Sequence, residues 1–564
     1  MKQTSMILMS DYYKQAHAEQ YTEGITKLIS YATARMTRMP KEMLGDKLTV
    51  FGIQSYVKDF LIERFNDTFF NVPLEEAMEE YKMIIGPTFP LEYVNTGKFE
   101  ALHKLGYLPV EVGCLEEGTR VPIRSAFELP EGQCQVPFMY IINTHPDFPW
   151  ITEFLESVTS SEVWYPMAIA NQAYYYRDIV NFWYDKTGVA PEARKSAISE
   201  FGFRGGKSSD AAIKASSAFL TSFNKTATIP AIKYMHDYYG DPVKEIGGGM
   251  ISTEHSVMCS NFAVDGDEET FLKKLFGTLY PAGNVSVVMD TYDYWANIKR
   301  CGTGELKEII MNRPGTVFFR GDSGDPVDII CGEYVPHYKS LEQRKSARGF
   351  AGAGNVIFVE DEQCWYKFRK DNGKDVWDRY DEEPVESLGT VGLLAKMFGY
   401  TTNEKGYKVL DSHVRAIYGD SITPTRAREI YQRLADKGFA SNNVALGAGS
   451  FSTQCAEDDN GRLLPFTRDT YGIAVKATWC ADETKGEERQ LFKNPKTDTG
   501  KFKKSQKGLI WVGYDENGEI IAKDGYTTST LPENSLLQPI FRDGKMIKET
   551  SLAEIRERLH GGDF

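Results

Sequence analysis

Apolar residues in this chain fall into two textures. Up to about residue 197 they recur mostly at helical spacing. KLTVFGIQSYVKDFLIERFNDTFF, residues 47–70, predicts a helix from about Gly52 onward, and residues 151–186 predict a long one. RVPIRSAFE, residues 120–128, reads as turn and strand, and Pro122, Pro130, Pro137, Pro146 and Pro149 punctuate the stretch before the long helix. Beyond about residue 197 short, uninterrupted apolar runs take over, at 251–253, 285–289, 316–319, 414–418, 444–446 and 473–475. Uninterrupted rather than alternating apolarity fits strands covered on both faces, as in a parallel sheet. Helix-like segments follow several of these runs, so the pattern predicts an α/β fold.

An ionisable residue or a glycine stands just after each run. These are Glu254 and His255, Asp290, Arg320 and Asp322, Gly419 and Asp420, the GAGS of residues 447–450, and Lys476. Residues at the carboxyl ends of parallel strands build the active sites of α/β barrels and open α/β sheets. One polar turn is unremarkable, whereas six in succession predict a site. Residues 332–386, rich in charge and aromatics, read as an insertion, and QCAEDDNGR, residues 454–462, as a short acidic excursion. Residues 493–507 hold six lysines in 15 positions. In an acidic chain that local charge points to an anion.

Composition narrows the classes. With 564 residues the chain has room for three or four domains, or for one large fold with smaller parts. A formal net charge of −14 excludes the basic footprint of a nucleic-acid binder. No apolar stretch approaches the roughly 20 residues of a membrane helix, and the apolar patch before Asp11 is too short for a secretory signal. The eight cysteines form no CxxC and no zinc-finger spacing, and the eight histidines no HExxH. Reduced thiols in a cytoplasm are the expectation.

The chemistry-bearing residues point one way. GGKSS, residues 205–209, lacks the first glycine of a phosphate-binding P-loop, since Phe201 stands there. In FGFRGG, residues 201–206, Arg204 suits a phosphate and Phe201 a flat ring. Glu254 beside His255 suits a nucleophile or general base. Asp290, Asp322 and Asp420 suit sugar hydroxyls or Mg²⁺, although each alone could cap a helix. GAGS offers backbone N–H groups to a phosphate. Together they fit a phosphorylated ribose and a flat heterocycle.

SDYYKQAHAEQY (10–21), SYATARM (30–36), WYPMAIAN (164–171), FGFRGG, TEHS (253–256), VSVVMDTYD (285–293), FRGDSGDP (319–326), AIYGD (416–420), GAGS, TRD (467–469) and KATWC (476–480) occur in one order. With these the chain resembles the nicotinamide phosphoribosyltransferase family over most of residues 5–555. The resemblance implies an irregular type II phosphoribosyltransferase α/β barrel with a smaller α+β domain built from both chain ends. It divides the chain at 1–150, 151–480 and 481–564. It implies transfer of phosphoribose from 5-phosphoribosyl 1-pyrophosphate to nicotinamide with Mg²⁺. It also implies ATP as a co-substrate, hydrolysed through a phosphohistidine, and a homodimer with shared sites.

By position, Phe201 and the partner subunit's Tyr13 sandwich the pyridine, with Asp11 nearby. Arg204, Arg320 and Ser286 serve the pocket. The resemblance makes His255 the phosphohistidine, with Glu254 beside it, and gives Asp290 and Asp322 the ribose and the Mg²⁺-pyrophosphate environment. Gly419 and Asp420 meet ribose hydroxyls, and Gly449, Ser450 and Arg468 the 5-phosphate. Arg35, Lys476, Lys493 and a lysine near 501–503 reach phosphates from the neighbouring chain.

Six positions depart from the family. Ala227 replaces an aspartate that accepts from the carboxamide, which makes nicotinate phosphoribosyl transfer the alternative reading. Gly247, Gly248 and Gly249 replace bulkier residues and are expected to widen the pocket. Ser450 replaces a glycine, and Leu509 an arginine expected to meet ATP. A silent scaffold that only binds partners is a third reading. Retention of Arg204, His255, Asp290, Asp322 and Arg468 argues against it.

Overall fold

A computed structural model describes residues 3–39, 45–346, 355–458, 460–493 and 505–564. Seven short strands form one all-parallel sheet: β1 (Ile198–Glu200), β2 (Lys225–Thr226), β3 (Ile251–Ser252), β4 (Val285–Val288), β5 (Val317–Gly321), β6 (Val414–Tyr418) and β7 (Val444–Ala448). Their spatial order is β2-β1-β7-β6-β5-β4-β3. The two ends meet where Lys225 of β2 bridges Gly248, just ahead of β3. The sheet is therefore an irregular ring in which the strands follow chain order, which is the predicted α/β barrel.

The pleat explains the apolar runs. Val285, Val317 and Val414 stand side by side in register and are buried under the surrounding helices. Alternate positions such as Ser286 and Phe318 face the ring interior instead. Helices cover the outside, among them Ser209–Phe219, Ile229–Tyr239, His255–Asp265 and Pro424–Asp436. The long helix is Glu156–Thr187, preceded by the short turn Ile151–Phe154. The helix expected from Gly52 begins at Ile53 and runs on through Val57–Arg64 and Asn66–Phe70.

A second sheet is antiparallel and takes strands from both chain ends. Its order is Glu487–Gln490, Ala474–Asp482, Lys27–Thr33, Pro137–Asn143, Val110–Cys114, Gln538–Arg542 and Lys545–Met546. Here one expectation is corrected. The run at 473–475 belongs to this sheet, where Ala474–Asp482 pairs antiparallel with Lys27–Thr33. It reads as a barrel strand because the helices Ile151–Phe154 and Glu156–Thr187 also pack on this strand. The two layers share one continuous hydrophobic core. The segment expected as an insertion forms its own four-stranded sheet, His337–Tyr338, Val356–Val359, Cys364–Asp371 and Lys374–Tyr380, with a small separate cluster of Ile357, Val359, Cys364 and Tyr366. All eight cysteines are unpaired. Among the described residues no helix is long and apolar enough to cross a membrane.

Arg556, on the helix Leu552–His560, ties the chain end to the barrel. Its buried guanidinium donates to the carbonyls of Leu220 at 2.8 and 3.0 Å, Phe223 at 3.1 Å, Glu245 at 2.8 Å and Ile246 at 2.6 Å. These carbonyls precede β2 on one side and Gly247 on the other, so one side chain holds both segments that close the ring. Arg556→Met leaves the carbonyls without a donor, and is expected to cost about 2–4 kcal/mol. Calorimetry checks this; a midpoint within a degree of the parent would refute the clamp.

Candidate active site

A cavity of about 740 Å³ runs through the ring and opens at the carboxyl ends of the strands. Its lining includes Phe201, Arg204, Ser286, Arg320, Asp322, Gly419, Asp420, Gly449 and Ser450.

Phe201 follows β1 and points inward, because its neighbour Glu200 points outward. The Glu200 carboxylate accepts from the hydroxyls of Thr226 and Thr228, both at 2.8 Å, and from the Gly202 N–H. The Phe201 ring lies against two glycines. A Cβ on Gly447 would come within 2.3 Å of the ring and one on Gly419 within 3.0 Å. Both glycines are thus needed for the edge of the ring to pack at the mouth. Gly205 and Ser450 touch in the same way, since a Cβ at Gly205 would collide with the Ser450 hydroxyl.

Across the mouth stand the acidic residues. Asp290 follows β4 and Asp322 follows β5. Asp290 Oδ2 accepts from the Asp322 N–H at 3.0 Å and the Ser323 hydroxyl at 2.6 Å. Asp290 Oδ1 is buried and has no hydrogen-bond partner. His255 sits between the two: Nε2 is 3.9 Å from Asp290 Oδ1 and 3.9 Å from Asp322 Oδ2, and Nδ1 meets the Thr291 hydroxyl at 3.1 Å. Exposure is graded, 6 % for the Asp290 side chain, 32 % for Asp322 and 50 % for His255. Burial pushes the Asp322 carboxyl above the usual range; Asp290 adds to this, while Arg320 and His255 oppose it. Glu254 is at the cap position of the His255 helix, and its carboxylate accepts from Ser256. Arg320 donates to the Ser252 hydroxyl and the Thr253 carbonyl, both at 3.0 Å, and its Nε lies 3.4 Å from Asp322 Oδ1. Ser286 Oγ is buried without a partner and lines the cavity.

The strand-end aspartates are not helix caps. The caps come three residues later: Asp293 accepts from the Ala296 N–H, Asp325 from those of Val327 and Asp328, and Thr423 from that of Arg426. Asp290, Asp322 and Asp420 are thereby free to face a ligand.

Glu254, His255 and Asp290 stand beside the cavity without being among its lining residues, and the remaining expected residues do not line it either. Tyr13 is exposed on the chain-end layer, edge-on to His17, and Asp11 accepts from Ser157. Arg35 donates to the Gly472 carbonyl at 3.0 Å; burial lowers its pKa and so does Arg468 beside it. Arg468 itself pairs with Asp469 at 3.1 Å. Lys476 pairs with Glu156 at 2.5 Å, and Glu156 also takes the buried Lys14 at 2.7 Å. Lys493 is exposed, and the lysines near 501–503 lie outside the described residues. Leu509 is buried in the strand Leu509–Tyr514. Sequence reasoning missed Thr291, whose only signal is its place directly after Asp290, and Ser252, Phe318 and Lys225 on the inner wall.

Residues 196–544, which carry every strand of this ring, match the model of the nicotinate phosphoribosyltransferase (NAPRTase) family. The chain belongs to that family. It is also similar along nearly its whole length to curated proteins named nicotinamide phosphoribosyltransferase. One, from Acinetobacter baylyi, is 34% identical over 562 residues, 97% of this chain and 96% of that one. Another, from Xanthomonas campestris pv. campestris, is 26% identical over 558 residues, 98% and 97% of the two chains. A third, from Mycoplasma pneumoniae, is 25% identical over 483 residues, 84% and 88%.

The raised Asp322 carboxyl has a consequence for stability. Just above the ordinary carboxylate range the folded chain holds a proton there that the unfolded chain has lost. Stability therefore falls as pH rises through that window. Asp322→Asn is expected to flatten this slope, leaving the variant at least as stable as the parent at neutral pH. Thermal midpoints measured against pH check this, and an unchanged slope would assign the burial penalty elsewhere.

Proposed function

We propose that the protein transfers the phosphoribosyl group of 5-phosphoribosyl 1-pyrophosphate to nicotinamide, giving nicotinamide mononucleotide and pyrophosphate. The observation that carries this reading is the barrel mouth itself. The edge of an aromatic ring packs on Gly447 and Gly419, and His255 lies within 4 Å of both Asp290 and Asp322 across the opening. The names of the relatives favour the amide.

The chemistry suits those groups. The pyridine nitrogen is the nucleophile, so no activated Ser or Cys is needed. The displaced bond passes through an oxocarbenium-like state, as in glycoside chemistry. The protein's task is to hold two reactants in line and to balance the charge of leaving pyrophosphate. Phe201 supports the pyridine ring from one face. Ser286 and Arg320 offer donors to the carboxamide oxygen. Asp420 accepts from ribose hydroxyls, and the Gly449–Ser450 turn and Arg204 receive phosphate.

Mg²⁺ fits the same mouth. Asp290 Oδ1 is a buried oxygen with no partner, and Asp322 stands beside it. Two carboxylates leave most of an octahedral shell to water and to substrate phosphates, the usual arrangement for this ion. Among the described residues no group of three ligating side chains forms a cage. The ion would neutralise pyrophosphate charge, and Asp290 and Asp322 would hold it.

ATP coupling through His255 belongs to the same reading. Thr291 meets the imidazole at Nδ1, which leaves Nε2 without a hydrogen bond among the described residues, facing Asp290 and Asp322 at 3.9 Å, as the nitrogen to receive a phosphoryl group. Tyr13, Arg35 and Lys476 complete the site from a second subunit of a homodimer, and Arg468, expected beside Gly449 and Ser450, joins them because it does not line the cavity of its own chain. Their support is negative and positive at once: they lie outside the cavity of their own chain, yet they bring an exposed aromatic and three cations to the chain-end layer. A cytoplasmic location follows from the substrates.

Purified protein with Mg²⁺, phosphoribosyl pyrophosphate and nicotinamide is expected to yield nicotinamide mononucleotide by mass spectrometry, and ATP to raise the rate. His255→Ala is expected to keep ATP-independent transfer and lose the stimulation; undiminished stimulation would sink the phosphohistidine. For the shared site, Tyr13→Ala and Phe201→Ala are each expected to be nearly inactive. After mixing and subunit exchange they should regain about a quarter of the parent rate, because half the dimers then hold one intact site. No recovery, with exchange verified, would place both residues in one subunit's site.

A further inference from the structure

Lys225 occupies a place that the transfer chemistry above leaves unused. On β2 the Thr226 hydroxyl bonds Glu200 at 2.8 Å and Ser216 at 2.8 Å, both outside the ring. Alternation along the strand then turns Lys225 and Ala227 inward, and both line the cavity. Lys225 pairs in register with Ser199, two residues before Phe201, so it stands one inner layer below the aromatic ring. It is half-buried, and among the described residues its ammonium has no hydrogen bond and no ion pair. Three donors thus face a cavity without a protein acceptor.

The charges around it are unevenly placed. The carboxylates lining the cavity are Asp322 and Asp420, which follow β5 and β6. In a ring of seven strands these two lie directly across from β2. The near wall, from β1 through Gly249 and Met250 to Ser252, carries Lys225 and no carboxylate, with the methyl of Ala227 directly above it. A flat ring resting on Phe201 with its nitrogen toward the mouth directs a substituent at the 3-position down into this wall.

We propose that Lys225 is a specificity-determining residue whose ammonium binds a carboxylate on the pyridine, so that the enzyme takes pyridine-3-carboxylate (nicotinate) as well as the amide. The inference rests on the transfer reading above. The reaction balances without another reactant. The pyridine nitrogen of the acid forms the bond to the anomeric carbon, the bond to pyrophosphate breaks, and pyrophosphate leaves with the electron pair. A charge-assisted contact favours the acid over the neutral amide, which offers only a carbonyl oxygen to the same donor.

The test is an equimolar competition between nicotinate and nicotinamide, with Mg²⁺ and phosphoribosyl pyrophosphate, read by mass spectrometry of both mononucleotides. The product ratio reports the ratio of kcat/KM directly. The parent protein is expected to form both products. Lys225→Gln is expected to lower the acid-to-amide ratio tenfold to a hundredfold, the range of one hydrogen bond to a charged group. Lys225→Arg, which keeps the charge and checks the fold, should hold the ratio within about threefold by the same argument. Ala227→Asp, which sets a carboxylate above the lysine, should lower the ratio as well. Amide product alone from the parent protein, or an unchanged ratio in Lys225→Gln, would overturn the proposal. If neither mononucleotide forms, the transfer reading fails, and calorimetric titration with nicotinate decides the subsite. Binding that is lost in Lys225→Gln supports it, and no binding to the parent overturns it.

Discussion

A parallel ring of seven short strands has to satisfy the main-chain groups at its two ends, and here those ends are strands of two residues each. β2 and β3 are too short to pair directly. The chain closes the gap at Gly248, whose N–H donates to the Asn224 carbonyl at 3.1 Å while its carbonyl accepts from Thr226 at 3.3 Å. The approach demands a residue without a side chain just before it. Gly247 has φ +151°, and a Cβ there would lie 2.5 Å from the Asn224 oxygen. The glycine run therefore does two jobs. Gly247 and Gly248 close the ring, and Gly249 leaves the inner wall open. Arg556 fixes the same two segments from outside. Without this closure there is no enclosed cavity, and Phe201 and the Asp290–Asp322 pair lose their fixed separation.

The loops after the strands divide their work in a repeated way. In three of them the first acidic residue faces the mouth, and a residue three positions later caps the next helix. One carboxylate or hydroxyl answers the helix N–H groups, which lets the other remain unspent. That freedom is costly to the folded state. Asp290 keeps one buried oxygen without a partner, and burial raises the Asp322 carboxyl. A chain selected only for stability would fill such positions with apolar or neutral residues. Their presence together, beside a histidine held by Thr291, is what a site for a charged ligand looks like in energetic terms.

Much of this was legible in the residues. Strands β3 to β7 each left an apolar run, and the long helix left its spacing. β1 and β2 did not, because polar residues fill them, Ser199 and Glu200 in the one and Lys225 and Thr226 in the other. The run at 473–475 misled for the opposite reason. A strand covered by helices looks the same in an antiparallel sheet as in a parallel one. Phe201, Asp290, Asp322 and His255 were visible at strand ends, whereas Lys225 and Thr291 were not. The role of Lys225 depends on which way β2 faces, and that is settled by Thr226 bonding Glu200 from a neighbouring strand. A single sequence carries no signal for that contact.

The cations of the chain-end layer complete the electrostatic argument. Partial desolvation and the neighbouring Arg468 both lower the Arg35 pKa. Holding two guanidinium groups together costs free energy unless an anion is shared between them. In a single chain Asp469 answers part of that charge, and Glu156 holds Lys476 and Lys14 together. Glu156 sits on the long helix that also carries the barrel, so the layer's cations are anchored to the same body that positions Phe201. The barrel mouth gathers Asp322 and Asp420, with Asp290 behind Asp322, and sets Arg204 and Arg320 beside them. Under the shared-site proposal the anionic phosphates of a substrate would be met by Arg204 and by the cations of the chain-end layer, while the carboxylates would answer its hydroxyls. That division gives the shared-site reading its physical content: each mouth would be completed by the cationic layer of its partner.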